Sequence, residues 1–113
     1  MSDAAQGEVW FCDLEPTRGR EQAGRRPVLV VSVDQLGTGP SGLAIVVPLT
    51  TTPQQNPIRP EIPAGEAGLR ERSWALPDMV RSVDRSRLTE RWGRVRPATL
   101  EEVAARVRLL IRT

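Results

Sequence analysis

The sequence predicts a small, mainly β domain: a barrel or sandwich of short strands with one α-helix at its C-terminal end. Three observations predict it. Short apolar runs alternate with turn residues at intervals of roughly 8–12 positions, and 9 Gly and 10 Pro punctuate the chain. Helical periodicity is confined to the last stretch, where Leu100, Val103, Ala104, Val107, Leu110 and Ile111 fall on one face. A chain of 113 residues is long enough for one core, so residues 1–113 are expected to form a single domain.

The elements follow in order. Gly7 to Asp13 is β-rich and reads as the first strand. Residues 14–27 hold Pro16, Gly19 and Gly24 and read as a loop. Val28 to Val33 is an almost continuous apolar run, as a central strand buried on both faces requires. Residues 34–42 are glycine-rich and connect it to a third strand, Leu43 to Leu49, in which Pro48 predicts an edge or a bulge. Residues 53–60 are polar and proline-rich, with a short strand expected over Ile58 to Ile62. Arg72 to Leu76 and Met79 to Val83 read as short strands split by Pro77-Asp78. Asp84 to Leu88 fits a single helical turn, and Thr89 to Val95 a last strand with Trp92 on one face. Thr99 and Glu102 have capping-box spacing, so the helix is expected to begin there. Its apolar face is read as core packing. Trp74 and Trp92 are expected to fill the core, with base stacking as their second possible role; Trp10 is read as core or dimer interface.

Composition narrows the function classes. No apolar run is long enough for a membrane span, and the N-terminus lacks the layout of a signal peptide. The one cysteine, Cys12, excludes an intramolecular disulfide and fits a reducing cytoplasm. There is no histidine and no Cys/His cluster for a metal. Acid–base chemistry must therefore use carboxylates, arginine, hydroxyls or water. Net charge is only +2, but all 16 basic residues are arginine. Arginine grips phosphate bidentately and stacks on bases. Four arginines, Arg18, Arg20, Arg25 and Arg26, crowd the 14–27 loop beside Glu21 and Gln22.

Strand direction then places these groups. If the first three strands form an antiparallel meander, the usual arrangement for sequential strands, the end of the first and the end of the third both lie beside the start of the second. The arginine loop, Arg26 and Thr50 meet at one rim of the sheet. Pro27 biases Arg26 to an extended backbone, holding a guanidinium at the strand mouth next to a hydroxyl. That pairing suits a phosphate without any metal.

The motifs at that rim resemble a known family. Gly7-Glu8-Val9-Trp10, Pro16-Thr17, Gly19-Arg20-Glu21-Gln22, Gly24-Arg25-Arg26-Pro27-Val28-Leu29-Val30-Val31 and Val46-Val47-Pro48-Leu49-Thr50 are similar to the MazF/PemK/Kid toxins. So are Met79-Val80-Arg81-Ser82-Val83-Asp84 and Arg87-Leu88. The resemblance covers nearly the whole chain in order. It implies an SH3-like barrel of the CcdB/PemK type with a C-terminal α-helix, assembled as a homodimer. It also implies a metal-independent, cofactor-free endoribonuclease that cuts single-stranded RNA at short sequences by attack of the ribose 2′-hydroxyl. The partner it implies is a MazE-like antitoxin with an acidic, disordered tail.

Carried onto this chain, the resemblance makes Arg26 and Thr50 catalytic and puts Arg18, Arg20, Glu21, Gln22, Arg25, Asp78 and Arg81 on the RNA. The general base stays open between Glu21 and Asp78. Arg20 stands where relatives often have His or Ser, and Leu76 stands where Kid-type members place a second arginine; the latter favours an Arg26/Thr50 mechanism. The competing expectation is a CcdB-like toxin that binds a protein such as gyrase, for which Arg26 and Thr50 would be dispensable.

Overall fold

The computed structural model describes residues 2–15, 19 and 24–111. Among the described residues, seven strands and two α-helices are joined by short 3₁₀ turns. The strands are β1 (Glu8–Asp13), β2 (Arg25–Val30), β3 (Leu43–Thr50), β4 (Glu61–Ile62), β5 (Ser73–Ala75), β6 (Arg81–Asp84) and β7 (Leu88–Arg94). Helix α1 (Asp34–Gly37) sits in the glycine-rich connection, and α2 (Pro97–Ile111) ends the fold. Strand order is β4-β5-β3-β2-β1-β7, with β6 also paired to β3. This is the mainly β half-barrel with a C-terminal helix that the sequence predicts.

β3 is the hub. One edge pairs with β2; the other pairs with β6 along Leu43–Val46 and with β5 at Leu49–Thr50. Pro48 is therefore in a central strand, not at an edge. It falls where β3 changes partner from β6 to β5, a position at which one missing N–H disturbs neither ladder.

Both faces of the sheet are buried, which explains the continuous apolar runs. Trp10, Cys12, Leu14, Val28, Val30, Ala44 and Val46 face one cluster, closed by Ala4, Val83 and Leu88. Val9, Leu29, Val47, Leu49 and Ala75 face the other, closed by Ile62, Leu69, Val95 and Val103 of α2. The two sets alternate along each strand, as a pleated backbone requires.

Several boundaries differ from expectation. β2 begins at Arg25, because β1 already pairs with it there. Residues 77–79 form a 3₁₀ turn, and β6 starts only at Arg81. The strand expected over 58–62 shrinks to two residues. The turn expected at 84–88 is a 3₁₀ turn over Arg85–Arg87. The capping box is not used: α2 starts at Pro97, and Thr99 is buried inside its first turn. The acceptor comes from far away in sequence. Glu66 takes the Arg96 backbone N–H (3.1 Å) and its Nε (3.2 Å), placing a carboxylate at the helix N-terminus where the dipole favours it. Trp10 and Trp74 are buried as core residues, whereas Trp92 is only half-buried.

Arg85 is the one arginine that is buried among the described residues. Its guanidinium donates to the Gly37 and Gly39 carbonyls and lies 3.6 Å from Asp3. Arg85→Met keeps the packed stem but strands those carbonyls. It should lower unfolding free energy by about 1–3 kcal/mol, read as a reduced urea midpoint with an unchanged m-value.

Candidate active site

The rim is set by strand register. Val28, Leu29 and Val30 pair with Pro48, Val47 and Val46. Continuing that register by two residues brings Arg26 level with Thr50. Cys12 lies opposite Arg26 on the other side, and Trp74 lies opposite Thr50. Cys12, Arg26, Thr50 and Trp74 thus form one row across four strands about 4.8 Å apart, all on one face. Arg26 and Thr50 are half-exposed. The Thr50 hydroxyl oxygen accepts the Thr52 backbone N–H at 3.2 Å, which leaves its own proton to donate outward.

The feet of the arginine loop are fastened. Leu14 N–H donates to the Gly24 carbonyl (3.0 Å), and Gly24 N–H to the Glu15 carboxylate (2.8 Å). Gly24 has φ +77°, which glycine adopts without strain. Two arginines from the other end of the chain brace the same place. Arg81 donates to the Leu14 carbonyl (3.3 Å), and Arg87 to the carbonyls of Asp13 (3.3 Å) and Glu15. Burial pushes the Cys12 thiol up to about 11, against the opposing pull of Arg81 and Arg87. It stays protonated at neutral pH and is no nucleophile.

Of the residues singled out from the sequence, the structure brings Arg26 and Thr50 into one row and sets exposed Arg25 opposite Asp13. Arg81 reaches the loop foot, where one of its N–H groups donates to the Leu14 carbonyl. Arg18, Arg20, Glu21 and Gln22 lie outside the described residues. Asp78 sits in the Pro77–Met79 turn on the far flank of β3, where Arg59 grips both its oxygens (Nε to Oδ1, 3.0 Å) and also donates to Gln54 (2.9 Å). The Arg59 hydrogen bonds hold the Asp78 carboxyl below its ordinary range despite partial burial. A carboxylate so held is a weak base. Arg87 and Arg59 were not foreseen as parts of the site. Arg87 stands in the Arg87-Leu88 motif, but no local signal gives either residue's role, because both act on segments distant along the chain.

Fold and rim together define a class: an SH3-like half-barrel with an arginine and a threonine side by side at the open end of its central strands. A family model for the PemK-like, MazF-like toxin of type II toxin–antitoxin systems matches residues 5–111, and the chain belongs to that family. It is 40% identical over 88 residues to the endoribonuclease EndoA of Bacillus subtilis (strain 168), covering 76% of this chain and 75% of that protein. The crystal structure of MazF (Form-I) from Deinococcus radiodurans superposes with TM-score 0.88 at 28% identity, covering 100% of both chains. A MazE–MazF complex (Form-II) from the same organism gives TM-score 0.80 at 25% identity, covering 100% of this chain and 99% of that one. No helix among the described residues is long and apolar enough to cross a membrane.

The Asp78–Arg59 pair makes a pH prediction. A carboxyl lowered by folding adds stability above its ordinary value of 3.8, and that contribution is lost as pH falls through the folded value. The stability gap between wild type and Asp78→Asn should therefore be constant near neutrality and shrink below pH 3.8. Urea titrations at neutral pH and in acid check it.

Proposed function

We propose that this protein is an endoribonuclease toxin of a type II toxin–antitoxin system, with residues 1–113 forming one toxin domain that cleaves single-stranded RNA at short sequences and is neutralised by a cognate antitoxin. The observation that carries the chemistry is the Arg26–Thr50 row at the rim. In the proposed step the ribose 2′-oxygen attacks the adjacent phosphorus. The O2′–P bond forms, and the 2′-hydroxyl proton passes to a base. The P–O5′ bond breaks, and the leaving oxygen takes a proton to become a 5′-hydroxyl. The other product is a 2′,3′-cyclic phosphate or its opened form. Arg26 holds two phosphate oxygens and stabilises their growing charge. Its pKa above about 12 makes it an anion clamp, not a proton donor. Thr50 donates its free hydroxyl proton to the same phosphate. Asp78, already committed to Arg59, is set aside as the base.

Exposed Arg25, with Arg18 and Arg20, draws the RNA backbone toward the rim, and Glu21 and Gln22 are assigned to RNA binding with them. The family membership and the relatives named endoribonucleases support this reading over a CcdB-like toxin that binds gyrase. The partner is a MazE-like antitoxin, as in the Deinococcus radiodurans complex, with an acidic tail that competes for the cationic rim. An RNA target and a single reduced thiol fit the cytoplasm.

The same reading makes the protein a homodimer. What supports it is an apolar groove of about 480 Å³ on the side of β3 and β6, lined by Ile45, Val80, Val107 and Ile111. Ile45 is 37% exposed and Ile111 62%. Sedimentation should find a dimer for wild type and a monomer for Ile45→Glu, with the circular dichroism of the fold retained; a wild-type monomer at micromolar concentration would refute it.

Cleavage of a long single-stranded RNA with EDTA present tests the enzyme. Wild type should leave 5′-hydroxyl ends at a repeated short sequence. Arg26→Lys keeps the charge but loses the fork, and Thr50→Val loses the donor. Each should lose about 10²–10³ in rate. Near-normal cleavage by both variants would remove these residues from the mechanism.

A further inference from the structure

One aromatic pair lies outside the chemistry just described. Phe11 and Trp92 stack with ring centroids 5.6 Å apart and planes 6° from parallel, both half-buried. A hollow of about 480 Å³ opens over them, lined by Phe11, Gly68, Arg70, Glu90, Arg91 and Trp92. A second hollow, of about 240 Å³, shares Arg70 and Trp92 and runs on to Pro27 and Thr51. These two residues are the immediate neighbours of Arg26 and Thr50. The two hollows make a trough that ends at the rim on the sheet face of Phe11 and Pro27, opposite to the face that carries Arg26 and Thr50.

The trough is built by irregular backbone. The β1–β7 register pairs Val9 with Gly93 but Trp10 with Arg91. Trp92 is the extra, unpaired residue of a β-bulge. Bulges re-aim side chains and gather beside active sites. The turn Glu66–Gly68 presses on this bulge. A Cβ on Gly68 would come 2.5 Å from the Trp92 carbonyl, and one on Gly93 2.8 Å from Ala67. Ala67 itself has φ +54°, a left-handed conformation that strains a non-glycine residue. A plain core contact needs neither a bulge nor strain.

The polar groups around the floor are equally specific. Arg91 is neutralised by buried Glu8. Arg70 is exposed, and among the described residues it makes no ion pair. Glu90 accepts the Trp92 indole N–H through Oε1 at 2.6 Å, and a carboxylate has a second oxygen to offer. An aromatic surface set among polar groups, with a cation at Arg70 and an acceptor-only group at Glu90, fits a nucleotide. The floor takes the base by stacking, Arg70 the phosphate, and Glu90 an exocyclic amino group.

We propose that this trough is a specificity subsite, in which one base flanking the cut stacks on Trp92 and is selected for an amino group by Glu90. The subsite rests on the ribonuclease reading above and deepens it. Adenine, cytosine and guanine carry such an amino group; uracil has none, and offers two carbonyl oxygens that repel a carboxylate on either side of its single ring N3–H. The step of chemistry stays with Arg26 and Thr50. Trp92 and Glu90 act on binding and choice.

The test begins by mapping cut sites of wild type, Trp92→Ala, Trp92→Phe and Glu90→Gln in one long RNA. Wild type should disfavour uracil at one position flanking the cut. Trp92→Ala should raise KM by about tenfold, the range of one lost base–aromatic stack, and blur that position, with kcat near wild type. Trp92→Phe keeps a stacking surface and should restore most of the affinity. Glu90→Gln should keep affinity but admit uracil. Binding of an uncleavable RNA, 2′-deoxy at the attacking ribose, should quench tryptophan emission in wild type and not in Trp92→Phe. That measurement needs no activity and stands even if Trp92→Ala fails to fold. Unchanged cut-site preference and KM in the variants, or equal quenching with and without Trp92, overturns the subsite while leaving the ribonuclease intact. Loss of antitoxin binding by Trp92→Ala with RNA cleavage unchanged overturns it in favour of a peptide site. Absence of any cleavage by wild type, with RNA still quenching Trp92, overturns the ribonuclease reading instead.

Discussion

The register that locks β1, β2 and β3 together is what the rest of this molecule hangs on. It is enforced from both sides. Val28, Val30 and Val46 fill one cluster while Leu29, Val47 and Leu49 fill the other. Sliding β2 by one residue would swap every side chain between faces and put each aliphatic group into space shaped for another. A buried aliphatic side chain contributes about 1.5–3 kcal/mol, so repacking even a few would cost most of a small domain's net stability of about 5–15 kcal/mol. The geometry of the Arg26–Thr50 row, proposed above as catalytic, inherits this rigidity. Arg26 and Thr50 stand side by side because the residues two positions inward cannot sit anywhere else. That is the form of preorganisation electrostatic catalysis needs: donors fixed in place before the charge develops.

The arginines, uniform in sequence, divide into distinct physical roles. Arg85 is buried and spans the α1 connection. Arg81 and Arg87 clamp the carbonyls at the foot of the 14–24 loop. Arg59 and Arg91 are tied to Asp78 and Glu8. At Glu8, burial pushes the carboxyl up, but bonds from Arg91, the Ala5 backbone and the Trp10 indole outweigh it and hold it below 4.5. The Glu8 anchor therefore stays charged at neutral pH and keeps Arg91 occupied. Among the described residues, Arg25 and Arg70 are exposed and face outward to meet an anion. The small net charge of +2 therefore says little about any one surface, since many of the charged groups are paired with one another or with backbone carbonyls.

How much of this was legible in the sequence depended on how local the cause was. The central strands announced themselves through apolar runs, and the meander followed from their order. The rim followed from strand direction alone, so the placing of Arg26 level with Thr50 is legible in the sequence. The start of α2 was misplaced because its acceptor, Glu66, lies thirty residues away; a capping box is a local signal, and here a distant carboxylate prevailed. Pro48 looked like an edge residue because a sequence shows one strand, not the change of partner beside it. The bulge at Trp92 was invisible for a similar reason. It is a mismatch between two registers, and neither strand contains it alone.

One turn ties these parts together mechanically. Glu66 fixes Arg96 and so the start of α2, while two residues later Gly68 lies against the Trp92 backbone and Ala67 against Gly93. The helix end, the bulge and the floor of the trough are therefore held by the same three residues. The strain at Ala67 is tolerable because both neighbours are anchored, one by hydrogen bonds and one by close packing. Loosening the turn would move Trp92 and the α2 N-terminus together. The trough that leads from the rim is in this sense as much a product of the core as the rim itself: its floor is set by how α2 docks, and its mouth by the register of β2 on β3.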